Sequence, residues 1–280
     1  MSEPTYQSAD SPFTPEGKNY HLGIGSEDIA STILLPGDPE RVAMISKDWD
    51  EFKQVGHNRE FLTHTGKKNG IPISVLSTGI GNPSMATVVE SLVRLGAKDL
   101  LRVGTTGCIQ PGIDIGDLII AKAAVRLDGA SKAYVCTEFP ATAHQEPLIA
   151  MIQACEELNF KYHVGITAST DSFYLGQGRP GWNNYFPSHS RNLISDMQLA
   201  GVLNFEMETS ALFTVSQLYG LRACAIFAVV ANRLTNRIEK KGIDKAIKAA
   251  NRAVIILHEM DEEKISAGKN FWYPGLKQLN

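Results

Sequence analysis

Short apolar runs alternate along the chain with longer segments of helical periodicity, and this alternation constrains the fold more than any other feature. Stretches such as DLIIAKAAV and CAIFAVVA have the length and composition of buried strands. Segments such as PSMATVVESLVRLG carry one apolar face at helical spacing. Because this succession is typical of α/β proteins, the sequence predicts a central mixed, mostly parallel twisted sheet flanked by helices.

Individual elements follow from the same periodicity. A strand over 31–38 leads into a helix over 39–49, with Asp38 as its N-cap and Pro39 in its first turn. Asn69-Gly70 predicts a hairpin between two strands. Further strands are predicted over 99–104, 117–125, 163–170, 201–205 and 221–231, and further helices over 83–96, 207–220 and 238–263. Residues 176–192 predict one long loop.

The domain organisation follows from length and from the composition of the N-terminus. Residues 1–18 are polar, so we expect a flexible tail, followed by a single domain over 19–280 with an extended C-terminal end. The start lacks the features of a secretory signal, and no apolar run approaches the roughly 20 residues that cross a bilayer. We therefore expect a soluble cytoplasmic protein that does not contact a membrane.

Composition and charge exclude two classes of function. The Lys and Arg residues are scattered and the formal net charge is -3, which disfavours nucleic acid as a partner. The four cysteines lie far apart in mostly apolar surroundings and form no CxxC pair, so we expect buried reduced thiols. The histidines show no metal-ligand spacing, so a transition metal is not expected.

Three arginines stand where a sheet enzyme would bind an anion. Arg41 follows the strand end LPGD, Arg59 lies in HNREF, and Arg102 lies in LRVGTTG at the carboxyl end of a predicted strand. The GTTG stretch adds backbone amides and two hydroxyls, which together with a guanidinium suit an oxyanion. A simple tight turn is an equally good interpretation of GTTG. Neither GxxxxGK[ST] nor GxGxxG is present, which favours a small anion such as free phosphate.

A second group lies in the loop DSFYLGQGR, directly after the predicted strand over 163–170. Phe173 offers a stacking face, and Gln177 can donate and accept, which suits the amide edge of a planar heterocycle. Arg179 adds a positive charge near a carbonyl that becomes negative. Taken alone, this loop is slightly better interpreted as a solvated surface segment.

Two acids flank Met207 in NFEMETSA, just after the predicted strand over 201–205. In an extended segment Glu206 and Glu208 point to the same side, which suits the binding of hydroxyl groups. An exposed helix start is the better interpretation of this stretch alone, because acids are favoured in a first turn. Together with the arginines and the aromatic loop, however, the acids complete the phosphate, base and sugar subsites that nucleoside phosphorolysis needs.

Eight motifs occur together in one order and spacing: LPGDPER, HNREF, LSTGIG, RVGTTGCIQP, VRLDGAS, DSFYLGQGR, NFEMET and VANR. In these the chain resembles the bacterial-type uridine phosphorylases of the hexameric nucleoside phosphorylase family, from His21 to the final long helix. The resemblance implies a nucleoside phosphorylase-like fold. It also implies a pentosyltransferase that converts uridine and inorganic phosphate to uracil and ribose 1-phosphate without a required cofactor.

The resemblance further implies a role for each matched residue. Phosphate is expected at Gly37, Arg41, Arg102 and Thr105, with Arg59 reaching in from a neighbouring subunit. Ribose is expected at Glu206, Met207 and Glu208, with His21 of that neighbour at the 5′-hydroxyl. Uracil is expected at Phe173, Gln177 and Arg179, with Val230, Ala231 and Arg233 behind it. The expected catalytic residues are Arg179, Gln177, Glu208 and Arg102.

Assembly and ion binding are implied by the same resemblance. The expected assembly is a homo-oligomer, a hexamer built as a trimer of dimers with active sites shared between two subunits. Glu60, Ile80 and Ser84 match positions that bind a structural potassium ion between subunits in some relatives. Asn82 and Leu175 depart from the family pattern, as do the long tail and the end segment, which leaves the range of substrates open.

Substrate choice depends on two short stretches. The GQxR pair, Gln177 and Arg179, is typical of the pyrimidine enzymes in the family. Purine relatives place an aspartate after the last core strand, whereas this chain has Ala231-Asn232-Arg233. Uridine is therefore the expected substrate, and thymidine shares the edge that Gln177 reads. The alternatives are a broader or purine nucleoside phosphorylase, a nucleoside hydrolase and a non-catalytic nucleoside-binding protein.

Overall fold

A computed structural model of the protein describes residues 6–276. Its strands are β1 (Thr32–Pro36), β2 (Glu51–Asn58), β3 (Phe61–Lys68), β4 (Ile71–Leu76), β5 (Asp99–Cys108), β6 (Leu118–Leu127), β7 (Ala141–Thr142), β8 (Tyr162–Thr170), β9 (Val202–Glu206), β10 (Arg222–Asn232) and β11 (Arg237–Ile238). Its α-helices are α1 (Glu40–Ser46), α2 (Asn82–Arg94), α3 (Ala130–Tyr134), α4 (Gln145–Glu157), α5 (Ser188–Arg191), α6 (Leu193–Leu199), α7 (Thr209–Leu218) and α8 (Ile243–Ala267).

These strands form one mixed sheet that closes on itself at one side. Parallel pairing joins β4, β1, β5 and β10, and it also joins β6, β8 and β9. Antiparallel β10–β6 and β5–β9 pairs connect the two sets into a ring. The β2–β3–β4 meander continues the sheet beyond the ring. The predicted α/β class, with a mixed sheet flanked by helices, is confirmed.

Successive side chains along the central strands point to opposite faces of the sheet, so the apolar core is divided between the two faces. Leu100 and Phe227 pack with residues of α2 and α7, whereas Leu101 and Ile226 pack with residues of α4 and α8. All four side chains are fully buried. Because helices cover both faces, β10 is apolar along nearly its whole length, as its sequence indicated.

Most predicted elements are confirmed, with shifts at their ends. Asn69 (φ 50°) and Gly70 (φ 77°) adopt the left-handed backbone that the predicted hairpin turn requires. Asp38 Oδ1 accepts the Glu40 N–H at 3.0 Å, so the acid lies at the start of α1 as expected. The last helix begins at Ile243 and not at 238, because Gly242 is left-handed (φ 82°) and β11 precedes it.

Several features of the fold differ from the sequence prediction, and the short elements α3, α6, β7 and β11 were not predicted either. Strand β2 was not predicted, because its side chains are mostly exposed and show no apolar alternation. Helix α4 is also unpredicted, although Ala150, Met151 and Ala154 are buried at helical spacing. The segment 176–192 is not one continuous loop, since it contains helical turns at Trp182–Asn184 and in α5.

Part of the predicted N-terminal tail makes backbone hydrogen bonds. Phe13 pairs with Asn19, and the Tyr20 N–H donates to Pro12 O at 3.0 Å. The flexibility expected of residues 1–18 and the single domain over 19–280 stay predictions, and residues 1–5 and 277–280 lie outside the described part. None of the helices within residues 6–276 combines the length and hydropathy of a membrane span.

Three of the four cysteines are buried and free, as predicted. Burial raises the pKa of Cys108 to about 11 and the pKa values of Cys155 and Cys224 to about 12, so these thiols stay protonated near neutral pH. Cys136 corrects the prediction, because it is exposed. It lies in the turn after α3, where its carbonyl accepts a hydrogen bond from Arg126.

Candidate active site

A cavity of about 670 Å³ gathers most of the residues that the sequence singled out. Its lining combines the ends of β5 and β10 with the segments that follow β1, β4, β8 and β9. The predicted residues that line it are Gly37, Arg41, Glu60, Ile80, Arg102, Thr105, Phe173, Gln177, Arg179, Glu206, Met207, Glu208, Val230 and Ala231. His21, Arg59, Ser84 and Arg233 are not among the lining residues.

Arg102 is the buried cation of this cavity, with 4% of its surface exposed. Its Nη2 donates to the Glu208 carboxylate, and its Nε lies 3.9 Å from Glu206 Oε2. Among the described residues this Nε has no hydrogen-bond partner. A buried guanidinium with a free N–H is a strong donor for an oxyanion.

Two more features near Arg102 favour the binding of an anion. A Cβ on Gly37 would lie 3.1 Å from the carbonyl oxygen of Gly79, which is a tight contact, and 3.8 Å from Arg102 Nη2, so glycine lets the backbone lie close to both. Burial and the nearby Arg102 lower the pKa of Arg41, while Asp38 and Glu208 act in the opposite direction. Two guanidiniums that repel each other in one cavity are stabilised by a shared negative ligand.

The GTTG stretch is part of a strand. Gly104 to Gly107 lie within β5 and are paired with residues 227–231 of β10, so the alternative interpretation as a tight turn is wrong. Thr105 faces the cavity, whereas the Thr106 hydroxyl donates to Phe205 O at 2.7 Å. Strand pairing therefore fixes the hydroxyl of Thr105 on the same strand as Arg102.

Glu206 is a buried helix-capping acid. It ends β9, accepts the Ser169 hydroxyl, and accepts the backbone N–H groups of Glu208 and Thr209 at 2.9 Å each. The helix-start interpretation was therefore right about position and wrong about exposure, since only 3% of Glu206 is exposed. Burial and the charge of Glu208 raise the pKa of Glu206.

We expect Glu206 to contribute strongly to stability. Glu206→Ala should lower the free energy of unfolding by about 2–3 kcal/mol, because two amides and the Ser169 hydroxyl lose their acceptor in the interior. Glu206→Gln keeps one acceptor oxygen and should cost about 1 kcal/mol. Denaturant unfolding at one fixed protein concentration measures both. Equal stability of Glu206→Ala and the wild-type protein would contradict the capping role.

Glu208 connects the two sides of the cavity. Its Oε1 accepts the Gly81 N–H at 2.8 Å and its Oε2 accepts from Arg102. It lies between β9 and α7 and is 5% exposed. The carboxylate is therefore held in one orientation at the cavity wall, as a group that binds vicinal hydroxyls requires.

The loop after β8 is fixed by its own arginines. Arg179 Nη1 donates to Phe173 O at 2.7 Å and to Gln177 Oε1 at 2.6 Å, and its guanidinium carbon lies 3.9 Å from the Phe173 ring centroid. Arg233 donates to the carbonyl oxygens of Gln177 and Gly178, so it supports the loop from outside the cavity. Gln177 is buried, which contradicts its interpretation as a solvated side chain, whereas residues 171–174 of the loop are exposed.

Arg179 keeps its charge under physiological conditions. Burial, with a smaller contribution from Arg233, lowers its pKa to about 10, which is still well above neutral pH. Its guanidinium is thus a partly desolvated cation beside the Gln177 amide. Such a pair can read a heterocyclic amide edge and stabilise negative charge on it.

Sequence reasoning missed some residues at the cavity. Ile238 on β11 lines it and is 75% exposed; its only signal was an isolated apolar residue between Arg237 and Glu239.

The side chain of Asn232 is fully used by the protein itself, because Nδ2 donates to Ile113 O and Oδ1 accepts two backbone N–H groups. Asn232 is therefore engaged in a turn.

Two predicted residues form a separate cluster on the chain. Arg59 Nη2 donates to the Tyr20 hydroxyl at 3.2 Å, and the rings of Tyr20 and His21 meet edge to face. Burial and the charge of Arg59 lower the pKa of His21, so this imidazole is neutral near pH 7. Neither Arg59 nor His21 therefore lines the cavity of its own chain.

Known proteins resemble this chain along most of its length. Residues 31–260 match the family described as the phosphorylase superfamily. A uridine phosphorylase of Thermococcus kodakarensis is 57% identical over 272 residues, which cover 97% of this chain and 98% of that protein. The uridine phosphorylase of Escherichia coli is 40% identical over 222 residues, which cover 78% and 88%. A guanosine phosphorylase of Halorubrum lacusprofundi is 34% identical over 227 residues, which cover 81% and 88%. With a family match that spans most of its residues, the chain belongs to the phosphorylase superfamily.

Proposed function

We propose that this protein is an enzyme that cleaves uridine with inorganic phosphate, releasing uracil and ribose 1-phosphate. One observation carries the proposal: a single cavity holds the Arg41–Arg102 pair, the buried acid Glu208, and the Gln177–Arg179 loop. These groups match an oxyanion, vicinal hydroxyls and a heterocyclic amide in turn. Relatives named uridine phosphorylase support the same substrate.

The reaction exchanges one bond to the anomeric carbon for another. The C1′–N1 bond breaks with its electron pair on uracil, a phosphate oxygen forms the new C1′–O bond, and the proton that the hydrogen phosphate loses ends on the uracil anion. Glycoside cleavage of this kind passes through an oxocarbenium-like transition state. Since phosphate is itself the nucleophile, the protein needs to position the reactants and stabilise the separating charges.

Each part of the cavity takes one of these tasks. Gly37, Arg41, Arg102 and Thr105 hold phosphate below the sugar, and Glu208 binds the 2′- and 3′-hydroxyls, with Met207 and Glu206 beside it. Gln177 and Arg179 take up the charge that develops on the departing base, and Phe173, Val230 and Ala231 enclose it. No cofactor takes part in these steps.

A purine nucleoside is the second candidate substrate, because one relative is named guanosine phosphorylase. The contacts of Asn232 argue against it: its side chain caps a turn and offers no acid to protonate a purine. A hydrolase is disfavoured by the arginine pair, which water as nucleophile would not require.

Charge supports an active site that is shared between subunits. The cavity is lined by the three arginines 41, 102 and 179 and by the four acids Asp38, Glu60, Glu206 and Glu208, so its formal charge does not favour an anion. Arg59 of a neighbouring copy would add the missing positive charge, and that neighbour's His21 would add a hydrogen-bonding group for the 5′-hydroxyl. We propose a hexamer, a trimer of dimers, on this basis together with the family resemblance.

A potassium ion at the subunit interface belongs to the same proposal. A Cβ on Gly79 would lie 3.3 Å from Glu60 Oε1 and 3.5 Å from Ser84 Oγ, so both oxygens converge beside this residue. The resemblance adds the carbonyl of Ile80 as a third oxygen, and a hard oxygen set with one negative charge would fit an alkali cation. The described residues hold no cluster of three or more His, Cys, Asp or Glu that would suit a transition metal.

The cytoplasm is the proposed location. Its support is the chemistry of the thiols, since the four cysteines are free. Free thiols are typical of a reducing compartment.

Base release tests the function and its rivals together. Purified protein should release uracil from uridine only when phosphate is present, and it should leave inosine intact. In the same assay 2′-deoxyuridine reports whether the 2′-hydroxyl is required, and thymidine then reports whether the 5-methyl group on the base is tolerated. Phosphate-independent release would indicate a hydrolase, and tight uridine binding without release would indicate a binding protein.

A further inference from the structure

We propose that the N-terminal segment, through Tyr6, orders Arg59 by way of Tyr20 and so tunes phosphate binding in the active site of a neighbouring copy. In this role Tyr6 and Tyr20 are positioning residues. The proposal rests on the proposed function, since it takes Arg59 as a phosphate ligand in a shared site. It goes further in assigning a task to the N-terminal extension, which the phosphorolysis mechanism itself leaves unused.

Arg59 has one set of partners in its own chain. Its Nη2 donates to the Tyr20 hydroxyl at 3.2 Å, and its guanidinium carbon lies 5.6 Å from the centroid of the Tyr20 ring. Both contacts leave most of the N–H groups of the guanidinium unused. Tyr20 thus limits the freedom of an exposed cation without neutralising it.

The backbone directs Arg59 away from the cavity of its own chain. Arg59 and Glu60 form the turn between β2 and β3, and Arg59 is left-handed there (φ 53°), a conformation that few residues other than glycine adopt. Glu60 lines the cavity, whereas Arg59 reaches Tyr20. The turn therefore presents one side chain inward and the other toward a partner.

Tyr20 is held on the turn by its main chain. Asn58 Nδ2 donates to the carbonyl oxygens of Tyr20 and His21 at 2.9 and 2.8 Å. Asn19 Oδ1 accepts the N–H groups of His21 and Leu22 at 2.9 and 3.0 Å. These contacts fix the backbone, but they leave the Tyr20 ring to be placed by packing.

The N-terminal segment supplies that packing. The Tyr6 ring meets the Tyr20 ring edge to face, with centroids 5.0 Å apart and planes at 82°. Residues 6–9 and Pro12 border a shallow depression that Tyr20 and His21 complete. The Gln7 N–H donates to Phe13 O and the Tyr20 N–H donates to Pro12 O, which closes the segment over the tyrosine. Loss of Tyr6 should therefore loosen Tyr20 and, through it, Arg59.

Steady-state kinetics with varied phosphate tests this chain of contacts. Tyr20→Phe removes only the hydroxyl and should raise the KM for phosphate about three- to tenfold, with kcat within about twofold. Tyr6→Ala should raise the same KM about two- to fivefold, a smaller change because its contact is indirect. Tyr273→Ala, which truncates another tyrosine near the opposite end of the chain, is the matched control and should leave both constants unchanged.

A double variant separates positioning from a general structural effect. In an Arg59→Ala background, which weakens phosphate binding by itself, adding Tyr6→Ala should change the phosphate KM no further. Calorimetric titration with inorganic phosphate gives the same comparison if turnover becomes too slow.

Three outcomes would overturn the proposal. The first is an unchanged phosphate KM in both tyrosine variants, and the second is additive effects of Tyr6→Ala and Arg59→Ala. The third is uracil release by the wild-type protein without phosphate, which would remove the proposed function as well. The first two leave that function standing, so the two failures are distinguishable.

Discussion

Arg179→Ala should lower kcat/KM for uridine by about 30- to 1000-fold, which corresponds to about 2–4 kcal/mol of lost transition-state stabilisation. The reason is that the guanidinium lies partly desolvated beside Gln177, where we propose that it stabilises negative charge on the departing base without reorganisation. The effect should fall mainly on kcat, because the charge develops only as the bond breaks.

Two controls accompany this variant. Arg179→Lys keeps a positive charge but loses the planar donor set, so its activity should lie between those of the wild-type and alanine variants. Steady-state kinetics at saturating phosphate, together with a thermal unfolding curve, separates catalysis from folding. Wild-type turnover by Arg179→Ala would show that another group stabilises the leaving base.

Arg102→Ala should have the larger effect, because this residue is a proposed phosphate ligand and also balances two buried acids. Activity should fall by about 1000-fold or more at moderate phosphate concentration. The free energy of unfolding should fall by about 3–5 kcal/mol, since Glu208 loses its buried partner.

A second substitution separates the two roles of Arg102. Arg102→Ala combined with Glu208→Gln removes the unpaired charge of Glu208 but leaves that of Glu206, so it should recover part of the lost stability and none of the activity. Denaturant unfolding and uracil release at several phosphate concentrations measure the two effects. An Arg102→Ala protein with unchanged stability and phosphate KM would contradict the assigned position of this arginine.

Local sequence patterns predicted where the chemistry lies. Strand ends and the loop after a strand carried Arg102, Gln177 and Glu208, and these residues line one cavity. The prediction worked because the carboxyl ends of neighbouring strands in an α/β sheet converge, so that motifs far apart in sequence meet there. The alternative prediction that GTTG forms a tight turn was wrong, because the pairing of β5 with β10 over several residues outweighs the local glycine content.

The pairing of charges could not be predicted from the sequence. Arg102 contacts Glu208 because β5 and β9 pair through Gly107 and Phe205, and this register is a property of the folded sheet. The capping role of Glu206 depends likewise on the neighbouring Ser169 of β8. The exposed edge strand β2 had no apolar pattern, yet it carries Asn58 and leads into Arg59.

The roles proposed for His21 and Arg59 depend on a second copy of the chain. No local pattern in the sequence says which subunit a side chain serves, and only the family resemblance assigned both residues to a neighbour. Their position outside the cavity of their own chain agrees with that assignment.

The nucleophile is the central claim, and isotopic labelling tests it most directly. Uridine is converted with phosphate that carries ¹⁸O at all of its oxygens, and the products are analysed by mass spectrometry. Phosphorolysis at this site predicts ribose 1-phosphate that retains every labelled oxygen, one of them bound to C1′. Free ribose with an unlabelled oxygen at C1′, formed alongside uracil, would contradict the account.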